Sequence, residues 1–432
     1  MIDDNAVVTV SGAAVPESSS GKTEPPEDPI TLAEHDETEP FSLSEPDQNF
    51  LESLSEKSRP LSVTYTADGT ASISSSSYVG VMTLPSGTTV EVTPKETVSN
   101  LLYLLQYAFD VPASTIEQTT GLKPSETFID AFGALFHAEL NEVLRQGIRR
   151  DYKRVQTLEQ EVRGRLDVQR QIQRPTTVPT DFAVEYDAFT SDTVLNRAIH
   201  RATQIVTSLV EDEHLSSKLS HQEKKLQQFV SPTHVSLEEL NTIEITRLNA
   251  YYEDLLELTR LVLSRLFFED LSYGDRQSFG LFINMNSIFE KAAERAFREA
   301  ARDISSEWRV EGQANIRNII SGPHAVTMKP DFVVSDSSGS VFFVGDAKWK
   351  TGSLQSGDVH QITSYILSEK ASGILVYPQQ GGRKEPSRVH DGMNDWSLQS
   401  VELPTATDAK SYYEYRDRLI ETASEILFEH RR

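Results

Sequence analysis

The chain has 432 residues, a formal net charge of −24, 38% hydrophobic residues and no cysteine. Its length allows two or three domains, and the missing cysteines exclude disulfides, thiolate zinc sites and cysteine nucleophiles. No apolar run approaches the roughly 18 residues of a membrane span, and the acidic N-terminus lacks the apolar core of a secretory signal, so a cytoplasmic protein is expected.

So acidic a chain carries the wrong sign for binding phosphate, which calls for Lys and Arg. Either it binds no nucleic acid, or it works in a cytoplasm of very high salt, where long-range repulsion is screened within a few Å. Few Lys, many Asp, Glu and Thr, and no Cys fit a halophilic source.

Residues 1–58 are rich in Ser, Pro, Asp and Glu with few aromatics, and are expected to be a disordered acidic leader. Within it, Gly21-Lys22-Thr23 lacks the upstream glycine and the preceding strand of a phosphate-binding loop, and is rejected as a nucleotide site. Residues 59–275 follow as a small β region and then helices. Alternating runs at Leu61–Tyr65, Tyr78–Met82 and Thr89–Thr93, punctuated by Gly69, Gly80 and Gly87, predict one small antiparallel sheet. Helical spacing starts at Asn100, and a longer amphipathic helix is predicted from about Glu126 to Arg150.

Arg145, Arg149, Arg150, Lys153, Arg154, Arg163, Arg165, Arg170 and Arg174 form a basic cluster. It either meets phosphate or an acidic partner, or is a solvated helix face with local salt bridges. Val162–Asp167 reads as a turn entering a strand, Phe182–Phe189 as a strand, and Ser191–Asn196 as a helix start capped by Ser191 or Asp192. Helices then dominate to about residue 270, including Tyr251–Phe268.

Residues 276–432 are expected to form an α/β domain with a mixed sheet, so the fold class is α+β multidomain. Its first helix carries an apolar stripe of Phe289, Ala293, Ala296, Phe297 and Ala300. Then come two apolar strands around a polar turn, Asp331 to Asp346, a helix from about Val359 to Lys370, and the strand Gly373–Tyr377.

The hairpin carries the chemistry. With its turn between Ser338 and Gly339, Asp331 and Asp346 fall opposite each other, where partners sit roughly 5 Å apart at Cβ. Lys348 is two residues on and projects from the same face. Val341–Val344 reads as a buried central strand, and ending it in Asp and Lys places charge where burial is costly, so the carboxylate pair needs a cation. Such a grouping can hold Mg²⁺ and orient a water against a phosphate. Glu290, beside the apolar stripe, is within reach of the strand ends, or is an ordinary flank charge. Gln361 and Tyr365 share one helix face, and either support the site or pack at the core edge.

Glu290, Asp331, Asp346 with Lys348, and Gln361 with Tyr365 together resemble the PD-(D/E)xK nuclease superfamily, in particular its RecB-like branch. Further segments are similar to McrC, the nuclease subunit of McrBC modification-dependent restriction systems: Pro94-Lys95 with Asn100-Leu-Leu-Tyr-Leu-Leu-Gln-Tyr-Ala108, Arg163-Gly-Arg-Leu-Asp167, Tyr186-Asp-Ala-Phe-Thr-Ser-Asp-Thr-Val-Leu-Asn196 and Met285-Asn-Ser-Ile-Phe-Glu290. The likeness covers about residues 60–380. It implies an N-terminal region that docks into the ring of an McrB-like AAA+ GTPase hexamer and stimulates its hydrolysis, and cleavage of double-stranded DNA bearing methylated cytosine. GTP would be used by the partner, which also reads the methyl mark.

On this reading Asp331, Asp346, Glu290 and the carbonyl of Ala347 hold Mg²⁺, with Mn²⁺ as a substitute. Lys348 steadies the charge building on phosphate, and Gln361 and Tyr365 support it. The rival readings are a stand-alone RecB-like repair nuclease and a catalytically inactive activator of a AAA+ NTPase.

Overall fold

The computed structural model describes residues 29–57, 60–95, 97–109, 127–173, 180–231, 235–265, 280–316, 322–323, 327–350, 355–379, 386–390 and 392–430. The rejected loop at Gly21-Lys22-Thr23 and Arg174 lie outside them.

The chain opens with β1 (Ile30–Ala33) and α1 (Glu45–Lys57), followed by β2 (Leu61–Tyr65), β3 (Ala71–Ser75), β4 (Tyr78–Thr83) and β5 (Thr89–Thr93). Helices α2 (Val98–Ala108) and α3 (Phe128–Gln146) come next. Then β6 (Asp151–Glu159), β7 (Arg165–Leu166), α4 (Val168–Ile172) and β8 (Phe182–Thr190) build a separate three-stranded sheet. Helices α5 (Val194–Leu209), α6 (Glu213–Gln227), α7 (Leu237–Asn241) and α8 (Glu253–Arg265) follow. The last part runs β9 (Gly280–Asn284), α9 (Met285–Ile304), β10 (Arg309–Gly312), β11 (Phe332–Ser335), β12 (Val341–Ala347), α10 (Ser356–Glu369), β13 (Ser372–Pro378), β14 (Ser387–His390), β15 (Asp395–Leu403) and α11 (Tyr412–His430). The molecule is thus mixed α/β with several sheets. No described helix is long and apolar enough to cross a membrane.

The expectation of disorder through residue 58 is corrected over 29–57. Ile30 and Leu32 alternate inward along β1, which pairs in parallel with β5. Phe41, Phe50 and Leu51 join them in one apolar cluster with Met82, Val90 and Val92. A few well-spaced apolar residues suffice to dock the segment, although its average composition is polar.

The single sheet expected over 60–95 is also corrected. Among the described residues, strand β2 pairs with β3 alone, an Ala-Ser-Ile-Ser-Ser stretch with little apolar signature. Strands β4 and β5 belong to a four-stranded sheet in the order β1-β5-β4-β9. Its last member, β9, comes from beyond the expected boundary at 275/276 and pairs antiparallel with β4, Tyr78 facing Asn284. Helix α5 is capped by Thr193, whose side chain accepts from the Asn196 N–H, so neither Ser191 nor Asp192 is the cap.

The second sheet is mixed, as expected, in the order β10-β11-β12-β13-β15-β14. Strand β12 is antiparallel to β11 and parallel to β13. Helix α9 lays its predicted stripe on this sheet: Phe289, Ala293, Ala296, Phe297 and Ala300 are all buried. The Phe297 ring stacks on Phe332 at 4.6 Å, and burying each such ring stabilises the fold by roughly 1.5–3 kcal/mol. Gly345 stands opposite Phe332 in the register. A Cβ there would sit 2.1 Å from the Phe332 ring, so only glycine lets β12 lie this close to the aromatic layer, one residue before Asp346. The same apolar core continues through α2, α3, α5, α8 and α11.

Candidate active site

The hairpin register agrees with the predicted opposition at the site end. Phe332 pairs with Gly345, and extending the ladder by one residue sets Asp331 against Asp346. Nearer the turn the register shifts between Val334 and Ser335. The turn itself is closed by Asp336, whose Oδ1 accepts from the Ser338 and Ser340 N–H groups, and by Gly339 in the left-handed region (φ 81°).

Asp346, the penultimate residue of β12, is 1% exposed. Lys348 Nζ lies 2.7 Å from its Oδ2, while Oδ1 meets no donor among the described residues. Asp331 is buried just before β11. Its Oδ2 accepts the Ala347 N–H at 2.7 Å and its Oδ1 the Gln313 amide at 3.3 Å. Burial, reinforced by the charges of Asp346 and Glu290, pushes the Asp331 carboxyl up to about 7. Burial likewise raises Glu290 and Asp346, against the opposing pull of Lys348. For Lys348 burial alone would lower the pKa, but Asp346, Asp331 and Glu290 hold the ammonium above its ordinary value. Four side chains from α9, β12 and the segments flanking the hairpin therefore share one electrostatic neighbourhood.

Gln361 and Tyr365 are brought together on α10. The Gln361 amide donates to the Tyr365 hydroxyl at 2.8 Å, and that hydroxyl donates to the Lys329 carbonyl at 3.1 Å. The pair thus braces the Lys329-Pro330-Asp331 segment. Ala347 contributes its N–H to Asp331, as given above.

Sequence reasoning missed two neighbours. Asp358 is buried in the first turn of α10 and accepts from Lys350 Nζ at 3.0 and 3.1 Å; its charge reaches Asp346. The repeated lysine in Asp346-Ala-Lys-Trp-Lys350 was the available clue. Glu34, hydrogen-bonded to Trp349, had none, because its segment was judged by average composition.

Divalent-cation binding can be tested against these residues. Among the described residues no group of three or more Asp, Glu or His is arranged to hold a metal. Mg²⁺, however, commonly takes one or two carboxylates and completes its shell with water and phosphate. Two buried carboxylates, one with an oxygen that has no donor and one with a strongly raised pKa, fit that mode, with the Lys348 ammonium resting where positive charge is wanted.

A cluster of buried carboxylates with a lysine at the end of a central strand is the class of site that the fold defines. Residues 73–378 match the family model described as McrBC 5-methylcytosine restriction system component, and the chain belongs to that family. No curated protein matches it. Among solved structures it is similar to the half-complex from the tetradecameric assembly of Thermococcus gammatolerans McrB AAA+ hexamers with bound McrC, at 20% identity over 91% of this chain and 99% of that one, with a TM-score of 0.55. A cryo-EM structure of the Thermococcus gammatolerans McrBC complex also matches, at 21% identity over 64% of this chain and 88% of that one, with a TM-score of 0.42. The first likeness is one of fold.

Proposed function

We propose that this chain is the nuclease subunit of a GTP-driven restriction complex, with a PD-(D/E)xK site that cleaves DNA carrying methylated cytosine in the cytoplasm of a halophilic cell. The observation that carries the reading is Asp346: a carboxylate buried at the end of a central strand, with one oxygen lacking a donor among the described residues, Asp331 opposite and Lys348 against it. Burying such charges costs several kcal/mol per ion, a cost that a purely structural site avoids by using apolar side chains.

In this reading Asp331 and Asp346 would hold Mg²⁺, and Glu290 and the Ala347 carbonyl could supply further oxygens. When bound, the ion polarises the phosphate and lowers the pKa of a water. The chain's own residues do the rest. Lys348 leaves Asp346 for the scissile phosphate and stabilises the negative charge that builds on it. Tyr365, held by Gln361, fixes the Lys329 carbonyl and so the approach of Asp331. Family membership and the fold likeness support a role as partner of an McrB-like AAA+ GTPase hexamer, which hydrolyses the GTP.

The sheet of β6, β7 and β8 suits that docking. With α4 it packs chiefly on itself, and it exposes the paired rings of Tyr152 and Phe189, 5.0 Å apart, on strands that also carry Lys153 and Arg154. Of the basic cluster, Lys153, Arg154 and Arg165 lie on the strands of this sheet and Arg170 on α4. The test is cleavage of methylated plasmid with Mg²⁺ in molar salt, with and without the GTPase and GTP. Cleavage that needs all of them is the expected result. Cleavage of any DNA by this chain alone would favour a stand-alone repair nuclease, and no cleavage under any condition an inactive activator.

A further inference from the structure

Glu34, just past the end of β1, lies outside the residues matched by the family model, yet its side chain is buried at 3% exposure. Both carboxylate oxygens are engaged. Oε1 accepts the indole N–H of Trp349 at 2.8 Å, and Oε2 accepts the backbone N–H of Lys95 at 3.1 Å. The indole bond joins residues 315 apart in sequence and is itself buried.

Trp349 directly follows Lys348. Its ring packs at 5.5 Å on Phe289, the neighbour of Glu290. The Lys348 N–H donates to the Val376 carbonyl at 2.8 Å, and the Lys350 N–H to the Lys348 carbonyl at 2.9 Å. Lys350 Nζ reaches Asp358 at 3.0 Å and Gln355 at 2.9 Å. Residues 348–350 are therefore held at three points: Val376 in the second sheet, Asp358 and Gln355 at the start of α10, and Glu34 beside the first sheet.

We propose that Glu34 is a positioning residue for Lys348, acting through Trp349, so that the first sheet sets where the ammonium meets phosphate. The proposal rests on the nuclease reading of Lys348. Its physical basis is that a buried indole N–H stripped of its acceptor loses a stabilising bond, and that Trp349, packed on Phe289 and next in the chain to Lys348, passes a shift of its ring to the segment that carries the ammonium. A displacement of 1 Å at a reacting group lowers rates by roughly 100-fold.

The test uses the full chain with its GTPase partner, GTP and Mg²⁺, and, separately, ¹⁵N-tryptophan-labelled chain without DNA or metal. In Glu34→Ala the Trp349 indole N–H resonance is expected to shift and lose its protection from exchange. Cleavage kcat should fall roughly 10- to 100-fold with KM for DNA unchanged. Glu34→Gln keeps an acceptor for the indole and should restore most of both. Trp349→Phe keeps the ring on Phe289 without the N–H, and should lose the same factor even if Glu34→Ala fails to fold. The double variant should lose no more than either single one. Wild-type kcat in Glu34→Ala or Trp349→Phe, additive losses, or a change confined to KM would overturn the proposal. If the wild-type chain cuts nothing, the nuclease reading falls. An unmoved indole resonance in Glu34→Ala overturns the positioning role on its own.

Discussion

Lys348 Nζ sits 2.7 Å from Oδ2 of Asp346, a carboxylate that is 1% exposed. In the absence of a divalent ion this ammonium is the compensating charge for a buried anion, so the residue assigned to catalysis also holds the site together.

Removing that ammonium is expected to separate the two roles. Lys348→Met leaves Asp346 buried without its cation, a change that costs roughly 3–5 kcal/mol when a buried pair is broken. The urea midpoint should drop in EDTA and recover largely when Mg²⁺ is added. Lys348→Ala and Asp346→Ala should both abolish DNA cleavage while leaving stimulation of the GTPase intact. A folded variant that loses both activities would contradict the division between site and docking region.

The raised carboxyl of Asp331 gives the metal-free protein a pH signature. Below the ordinary value of 3.8 the group is protonated in the folded and unfolded chains alike, and its stabilising contribution is complete. As pH rises the unfolded chain releases its proton first, while the folded chain keeps it until about 7. Stability therefore falls across that window, by on the order of 4 kcal/mol from this group, and levels off above it. Asp331→Asn should flatten the decline in urea titrations at constant salt with EDTA, and Mg²⁺ should flatten it in the wild type. A wild-type slope unchanged by either would refute the assignment.

Tyr365→Phe removes one hydroxyl that both accepts from Gln361 and donates to the Lys329 carbonyl. The expected cost is about 1–2 kcal/mol. If the hydroxyl braces the Asp331 approach, cleavage falls several-fold beyond what the Tm shift explains. Gln361→Ala, at an exposed position, should change Tm little and cleavage in the same direction. Equal cleavage by Tyr365→Phe and wild type at a temperature where both are folded would reduce the pair to packing.

What could be read from the chain follows from how local the information is. The hairpin was legible because two apolar runs flank a polar turn, and because the shift at Val334/Ser335 lies on the turn side of the site and leaves Asp331 against Asp346. The α9 stripe was legible because its period matches a helix exactly where the sheet receives it. Strand β9 was not assignable to the first sheet, since its partner Tyr78 is some 200 residues away and no local pattern encodes that pairing. Strand β3 was invisible because Ala-Ser-Ile-Ser-Ser has neither period. The segment with Ile30, Glu34, Phe41 and Leu51 was lost to an average in which Ser, Pro and Glu dominate. Its few anchors decide its state.

Leu51 makes that point measurable. It is fully buried against the first sheet, so Leu51→Ala should cost roughly 2–5 kcal/mol. A disordered leader predicts no change at all, and an unchanged unfolding midpoint would restore that reading.

The sheet of β6, β7 and β8 predicts the opposite balance. Tyr152 is 71% and Phe189 58% exposed, so replacing both by Ala should alter stability by no more than about 0.5 kcal/mol beyond their own stacking. The root of the sheet is built differently. Asn196 donates to the Arg149 and Ser191 carbonyls, and the buried Tyr252 hydroxyl donates to Asn196 Oδ1 while accepting the Arg149 N–H. Asn196→Ala strips a buried network and should cost about 1–3 kcal/mol for each group left unpaired. If the exposed rings are the docking surface, Tyr152→Ala/Phe189→Ala abolishes GTPase stimulation at unchanged Tm. Asn196→Ala lowers both, because a loosened root misdirects the sheet. Full stimulation by the double ring variant in a steady-state GTPase assay would move the docking surface elsewhere on the chain.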